Sequence, residues 1–384
     1  MLNVIFLGLV SFFCDLSGEM VYPLIPIYLT SALGATPTLV GIIEGIAESI
    51  ASLLKVFSGY ISDRFSKKKP LAFIGYATGI VYKLALVFSG TWLGILGARV
   101  IDRLGKGIRT APRDVMVSEC ADKNTIGKTF GIHKMLDMAG AAAGILAAYF
   151  LLLRLGEDSY KTVFLISLIP MVLALSMFFF IKEKKGATAS EKREPLRVNI
   201  RKLDSRLKLY LAVAFIFTLG NSSNTFLLLR ASEVGFSNTN VIMLYFVYNI
   251  IASVLALPLG KYSDKVGRKK LLVAGYFLFA VVYLLLGFAE TKALVWLGFA
   301  VYGIYTAMVA GVEKAFIAEI APTDLKGTML GLHSTLVGIA LLPASIIAGL
   351  LWDNIGSSAP FVFGAALSAA AALTLQFGLK TKRP

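Results

Sequence analysis

Apolar runs of about 20 residues recur along almost the whole chain, each closed by a short polar turn. A run of that length crosses the hydrocarbon core of a bilayer as a helix. Hydrocarbon offers no partner to an open backbone N–H or C=O, so a chain built of such runs is an all-α membrane protein. The pattern predicts twelve spans, at about 3–30, 37–61, 71–90, 92–118, 128–153, 160–182, 207–231, 238–261, 271–289, 293–319, 328–352 and 360–380. One long polar stretch interrupts it. Lys182–Arg206, with its KEKKGATASEKREP core, is charged, lacks aromatics in that core and reads as a surface linker. The predicted organisation is a six-span bundle over 1–182, a cytoplasmic linker at 183–206 and a second six-span bundle over 207–384. The first run carries no basic flank and no small-residue cleavage site, so it reads as a span and not as a signal peptide.

Composition supports the pattern. Hydrophobic residues make up 57% and charged residues 16%, with a mean hydropathy of +0.75, against about 45–50% and about 25% in soluble domains. The net charge of +15 raises the question of nucleic acid, and its distribution answers it. Basic residues gather at Arg64–Lys69, Lys182–Lys185, Lys192–Lys208, Lys265–Lys270 and Lys380–Arg383, while the loops Ser31–Thr38 and Ser89–Thr91 carry none. That alternation is the positive-inside distribution; it places both termini and the linker in the cytoplasm, on a cytoplasmic (inner) membrane, and removes nucleic acid as a partner. Cys14 lies in a span and Cys120 at a cytoplasmic end, so no disulfide is expected.

The two halves repeat each other. A shift of 201 brings Ala51-Ser52 onto Ala252-Ser253 and Gly59-Tyr60-Ile61-Ser62-Asp63-Arg64 onto Gly260-Lys261-Tyr262-Ser263-Asp264-Lys265. A shift of 200 brings Glu119-Cys120-Ala121 onto Glu319-Ile320-Ala321, Gly131-Ile132-His133 onto Gly331-Leu332-His333, and Arg113-Asp114 onto the sign-exchanged pair Glu313-Lys314. One offset held across several helices means two homologous bundles.

Six plus six spans around a basic linker resemble the major facilitator superfamily, and the repeated loop makes the resemblance specific. Its signature G-x-x-x-D-R-x-G-R-K between spans 2 and 3 stands here as Gly59, Asp63 and Arg64, with Ser66 at the second Gly; the second copy runs Gly260, Asp264, Gly267 and Arg268. Gly59 and Gly260 would permit close helix packing. The resemblance implies twelve transmembrane helices in two pseudo-symmetric six-helix bundles, alternating access, and a gate at these loops that latches the outward-facing state. It also implies that helices 1 and 4 line the central cavity while helix 2 rocks against helix 11. The R-x-x-Q-G-x-G signature of proton-driven drug antiporters is matched at Arg103 and Gly107, with Lys106 for Gln; their helix 5 motif is present only as Gly140 and Gly144.

Charges inside the spans carry the candidate chemistry, because a buried charge costs about 2.5–3.5 kcal/mol on insertion scales unless it faces water or a partner. Asp15 and Glu19 lie four apart on span 1; Glu44 and Glu48 lie four apart on span 2, with Lys55 on the same stripe; Arg99, Asp102, Arg103 and Lys106 follow i, i+3, i+4, i+7 on span 4. Acids and bases thus form complementary stripes. Asp15, Glu19 and Arg103, with Glu44 and Glu48, are the candidates for proton coupling. The Glu44, Glu48 and Lys55 stripe equally fits a structural ion-pair network. The second half offers polar uncharged and aromatic residues instead: Asn221, Asn224, Phe226, Tyr245, Asn249, Tyr302 and Tyr305 are expected, with Arg99, in a substrate cavity, or else in interhelical hydrogen bonds. Arg113, Asp114, Glu313 and Lys314 are expected at the cytoplasmic gate. Arg230, at the outer end of span 7, fits a periplasmic gate or an interfacial charge.

The only histidines, His133 and His333, have no Cys partner and read as packing or gate residues, so neither a metal site nor a cofactor is expected. Met135 and Met138 around Asp137 are too few for copper. There is no G-x-x-x-x-G-K-[ST] phosphate-binding loop, since Gly127-Lys128-Thr129 has Asp122 at the first glycine position, and no nucleophile-base pair on a soluble segment, which points away from an enzyme. The expected partners are a small molecule, protons and membrane lipids, with the chain a monomer. The sequence thus points to proton-coupled export of a drug-like compound or metabolite. Proton-coupled uptake, and efflux of a metal ion or chelate, are the alternatives.

Overall fold

The computed structural model describes residues 2–64, 68–120, 126–181, 204–321 and 326–379, without the side chains of 55–64, 126–131 and 326–328 or of residues 2, 111 and 318. Among the described residues there is no strand. The helices run α1 (Leu2–Glu19), α2 (Leu24–Ile27), α3 (Pro37–Arg64), α4 (Lys68–Phe88), α5 (Trp92–Glu119), α6 (Ile126–Leu155), α7 (Tyr160–Ile166) and α8 (Leu168–Met177). They continue as α9 (Ser205–Gly220), α10 (Thr225–Glu233), α11 (Asn238–Val266), α12 (Arg268–Gly287), α13 (Lys292–Val309), α14 (Val312–Ile320), α15 (Lys326–Asn354) and α16 (Ala359–Gly378). Among the described residues eleven helical stretches are long and apolar enough to cross a membrane. The remaining helix of that length is α5, whose charges lower its hydropathy. Side chains such as Phe88, Phe179 and Phe377 are exposed on this protein, as lipid-facing positions require.

Four of the spans expected to be continuous are broken. The first stops at Glu19 and resumes as α2 and a π-helical turn, Tyr28–Ala32. Pro23 and Pro26 remove two backbone donors there, and the Thr30 hydroxyl donates to the Pro26 carbonyl at 3.0 Å. The sixth divides into α7 and α8 at Ser167, whose hydroxyl donates back to the Phe164 carbonyl at 2.7 Å. The seventh opens at Asn221–Asn224, where short polar side chains compete for the backbone: Ser223 Oγ accepts from Thr225 N at 3.3 Å. The tenth breaks at Ala310-Gly311. By contrast α5 continues through Pro112. The internal repeat reaches the caps, since Thr91 and Thr291 open α5 and α13 by accepting from Gly94 N and Leu294 N. Gly267, which the first loop copy replaces with Ser66, takes φ +99°, a conformation that favours glycine, at the start of α12.

The described chain forms two compact units. The first holds residues 2–35, 46–181 and 237–243; the second holds 36–45, 204–236 and 244–379. The start of α3 therefore packs with the second unit, where Thr38 N donates to Asp353 Oδ2 at 3.0 Å. In the first unit α1 packs on α6 and α8, and α4 packs on α5. A Cβ added at Gly140 or Gly144 of α6 would stand 2.2 or 2.3 Å from the carbonyl oxygens of Phe12 and Leu16, so the absence of side chains is what lets α1 and α6 touch. Leu7, Val10, Tyr76, Met116, Met171 and Phe178 make an apolar core among α1, α4, α5, α8 and the turn that follows it. In the second unit α12 packs on α13 and α16, and α9 on α15 and α16.

Candidate functional site: a charged cavity in the first unit

Beside that apolar core lies a cavity of about 70 Å³. Helix α1 contributes Cys14, Asp15, Gly18 and Glu19, with Tyr22 just beyond its end. Helix α4 contributes Gly79, Tyr82 and Lys83, α8 contributes Met171, and α5 contributes Arg99, Asp102, Arg103, Lys106 and Arg109 from one face. The stripes read from the sequence on α1 and α5 therefore do converge. Arg109 continues the α5 stripe three residues beyond Lys106, and Lys83 joins it from α4.

The pairs are specific. Arg103 Nη2 donates to Glu48 Oε1 at 2.6 Å, and Asp102 Oδ2 lies 3.8 Å from Arg103 Nη1 and 3.9 Å from Arg99 Nη1. Arg99 is 1% exposed and its guanidinium sits 5.3 Å from the centre of the Tyr22 ring. Arg109 lies 4.5 Å from the Tyr76 ring and the Lys83 ammonium 4.7 Å from the Tyr82 ring. Glu48 reaches Arg103 without lining the cavity. Glu44 is buried and falls in the segment 36–45 of the second unit, so the expected Glu44/Glu48 stripe is divided between the units.

Asp15 does not face only cations. Its carboxyl group lies within hydrogen-bonding reach of that of Asp137 on α6. An ionised carboxylate can only accept, so a hydrogen bond between the two would require a proton on one of them. Lys134 Nζ donates to Asp137 Oδ2 at 2.5 Å. Nearby, Ser11 Oγ lies 3.0 Å from His133 Nε2 and 3.4 Å from Tyr76 Oη, which accounts for His133 as a packing residue. Asp137 and Lys83 are the functional candidates that the sequence reading left out; Lys83 carries the signal of a lone charge inside an apolar run, and Asp137 that of a carboxylate in a span beside Lys134.

In the second unit the expected substrate residues are closed on one another. Tyr302 Oη donates to Asn224 Oδ1 at 2.7 Å, Asn224 Nδ2 donates to Tyr248 Oη at 3.1 Å, and Asn221 Nδ2 donates to Tyr305 Oη at 3.2 Å. The broken span supplies both asparagines. Tyr245 packs edge-on against Tyr248 with ring centres 5.2 Å apart. Asn249 donates to the carbonyl of Tyr245 on its own helix at 2.8 Å, and Phe226, 1% exposed, packs near Trp352.

At the repeated loops, the side chains of Asp63 and Arg64, and Gly59 with them, lie outside the described residues. In the second copy Arg268 bridges Asp264 and Glu319, both at 2.9 Å, tying α11, α12 and α14 together. The equivalent of Glu319, Glu119, pairs with Lys68 between α5 and α4. Among the described residues a Cβ at Gly260 would meet nothing within 4 Å, so no described neighbour makes the close packing expected of that glycine. Arg113 pairs with its neighbour Asp114 at 2.8 Å. Its counterpart differs, because Glu313 turns inward to accept from Tyr276 Oη at 2.8 Å while Lys314 is exposed. Arg230 is a structural clamp: it donates to the carbonyls of Leu286, Gly287 and Ala289 at 3.0–3.1 Å, capping the end of α12 and the residues just beyond it.

Two bundles with broken first and seventh spans, and a charged cavity beside α1, α4 and α5, define a membrane transporter. The sequence model of the Major Facilitator Superfamily matches residues 7–229 and 209–384. The chain belongs to that superfamily. It is 39% identical to an uncharacterized MFS-type transporter of Methanocaldococcus jannaschii, MJ1317, over 98% of this chain and 94% of that protein. It is 24% identical to the multidrug resistance protein MdtH of Salmonella newport, over 87% of this chain and 82% of that protein. In fold it resembles the nucleoside transporter NupG (TM-score 0.79, 14% identity, 100% of both chains) and a D-xylose-proton symporter (0.76, 15%, 97% and 96%). Transporters of this superfamily are not enzymes.

Proposed function

We propose that the protein exports a small organic molecule across the cytoplasmic membrane in exchange for protons, as a monomer with both termini in the cytoplasm. The observation that carries the coupling is the juxtaposition of the Asp15 and Asp137 carboxyl groups beside a cavity rich in cations, a pair suited to sharing one proton. A proton bound there keeps one negative charge between two oxygenated groups. Its release would leave two adjacent carboxylates, a state that needs nearby cations to be stable. Movement of Lys106, Arg109 or Lys134 relative to the pair would therefore set where protons bind and where they leave. The relation to a multidrug resistance protein supports export as the direction. Efflux of a metal cation is disfavoured by the five basic side chains against three carboxyl groups that line the cavity among the described residues.

The test uses purified protein in liposomes with an imposed pH gradient and an entrapped pH-sensitive dye. Addition of a transported compound discharges the gradient; Asp15→Asn and Asp137→Asn abolish the discharge while compound binding persists. If no compound in a chemically broad panel moves protons, or if both variants discharge the gradient like the wild type, proton exchange is the wrong mechanism.

A further inference from the structure

Three of the five cations in the cavity have no carboxylate within 4.0 Å among the described residues. They are Lys83, Lys106 and Arg109. The ion pairs of the cavity use Arg99 and Arg103 instead. Lys83 is 2% exposed on α4, so its ammonium has left bulk water. The contacts that hold Lys83 and Arg109 are faces of Tyr82 and Tyr76, which fix a cation in place without neutralising it. A membrane protein retains such groups where something supplies the missing negative charge. The cavity offers room for about five water-sized bodies, which matches a carboxylate or phosphate group and not a whole drug-sized molecule.

We infer that Lys83, Lys106 and Arg109 form the anion subsite of the transporter, receiving the carboxylate or phosphate head of a small organic anion. Lys83 and Lys106 act as point charges from two helices, and the Arg109 fork can bind two oxygens of one head group. The tyrosine rings around them give the adjoining organic part an apolar surface. The assignment rests on the transporter reading above and adds the substrate class to it. It does not depend on proton coupling.

The experiment follows thermal unfolding of the full-length protein in detergent with four probes: phenyl phosphate, benzoate, inorganic phosphate and tetraphenylphosphonium. Phenyl phosphate and benzoate raise the unfolding temperature in a saturable way. Tetraphenylphosphonium does not. Lys83→Met, which removes a buried charge and keeps the shape, weakens the fitted affinity for both anions at least about tenfold. Lys106→Gln does the same as an independent variant, Lys83→Arg retains binding, and the exposed Lys161→Gln leaves it unchanged. Stabilisation by tetraphenylphosphonium alone, or undiminished anion binding in both Lys83→Met and Lys106→Gln, overturns the subsite. Equal affinity for inorganic phosphate and phenyl phosphate overturns the organic part of the ligand. The two proposals separate in the liposome assay: anion binding without gradient discharge refutes coupling and keeps the subsite, whereas discharge driven only by a cationic compound refutes the subsite and keeps coupling.

Discussion

Arg103 holds Glu48 at 2.6 Å while its second nitrogen stands 3.8 Å from Asp102, so one guanidinium joins α5 to α3 and to its own helix neighbour. Glu48 is 32% exposed and the pair is partly screened. A double-mutant cycle of Arg103→Gln and Glu48→Gln, read by chemical unfolding in detergent, is expected to give a coupling of about 1–2 kcal/mol. Arg103, Asp15 and Glu19 were legible in the sequence because charges four apart inside an apolar run mark one helix face. Lys83 was not selected by that rule, since it stands alone in its run, and Asp137 has only Lys134 three residues before it, a pair that reads as a local ion pair. Asp137 meets Asp15 only because α6 packs on α1, and spacing within a helix carries no information about which helices touch.

The contact between α1 and α6 rests on two glycines, which makes it brittle in a defined way. Gly144→Val would push a branched side chain against the Leu16 carbonyl, part the helices and destabilise the protein by about 1–3 kcal/mol. Gly97→Ala on α5 meets nothing within 4 Å and is expected to leave the unfolding midpoint unchanged or slightly raised. At the second loop copy, Asp264→Asn weakens the bridge from Arg268 and is expected to slow turnover several-fold with substrate affinity nearly intact; a large loss of affinity would place Asp264 in the binding site instead. The placement of eleven spans among the described residues was readable from hydrophobic length; α5, with its charges, was not readable by that measure. The breaks in the first, sixth, seventh and tenth spans were not, because a short interruption at Asn221–Asn224 or Ala310-Gly311 leaves the apolar content of the run intact. Only the hydrogen bonds that resatisfy the backbone reveal it.

Across the whole molecule the two units have different chemistry on a repeated scaffold. The first concentrates charge on α1 and α5; the second replaces it with the Asn224, Tyr248 and Tyr302 network. Asn224→Ala removes two hydrogen bonds from that network, and in the liposome assay it is expected to raise the substrate concentration needed for half-maximal discharge while protons still move. Asp137→Asn is expected to do the reverse, with binding kept and proton movement lost. Identical effects of the two variants would mean that the units share one task.

The charge on α5 also bears on how the chain is made. A helix with Arg99, Asp102, Arg103, Lys106 and Arg109 along it does not meet the apolar threshold that the other eleven spanning stretches meet. At about 2.5–3.5 kcal/mol for each central charge, it cannot leave the insertion machinery for lipid by itself. Its acidic partner Glu48 and the helices that shield its charges, α1 and α4, are all synthesised before it. They can therefore wait beside the translocation channel and receive α5 as a group. A nascent chain ending just after α5 is then expected to integrate that helix, and one lacking the first 64 residues to release it into the aqueous compartment.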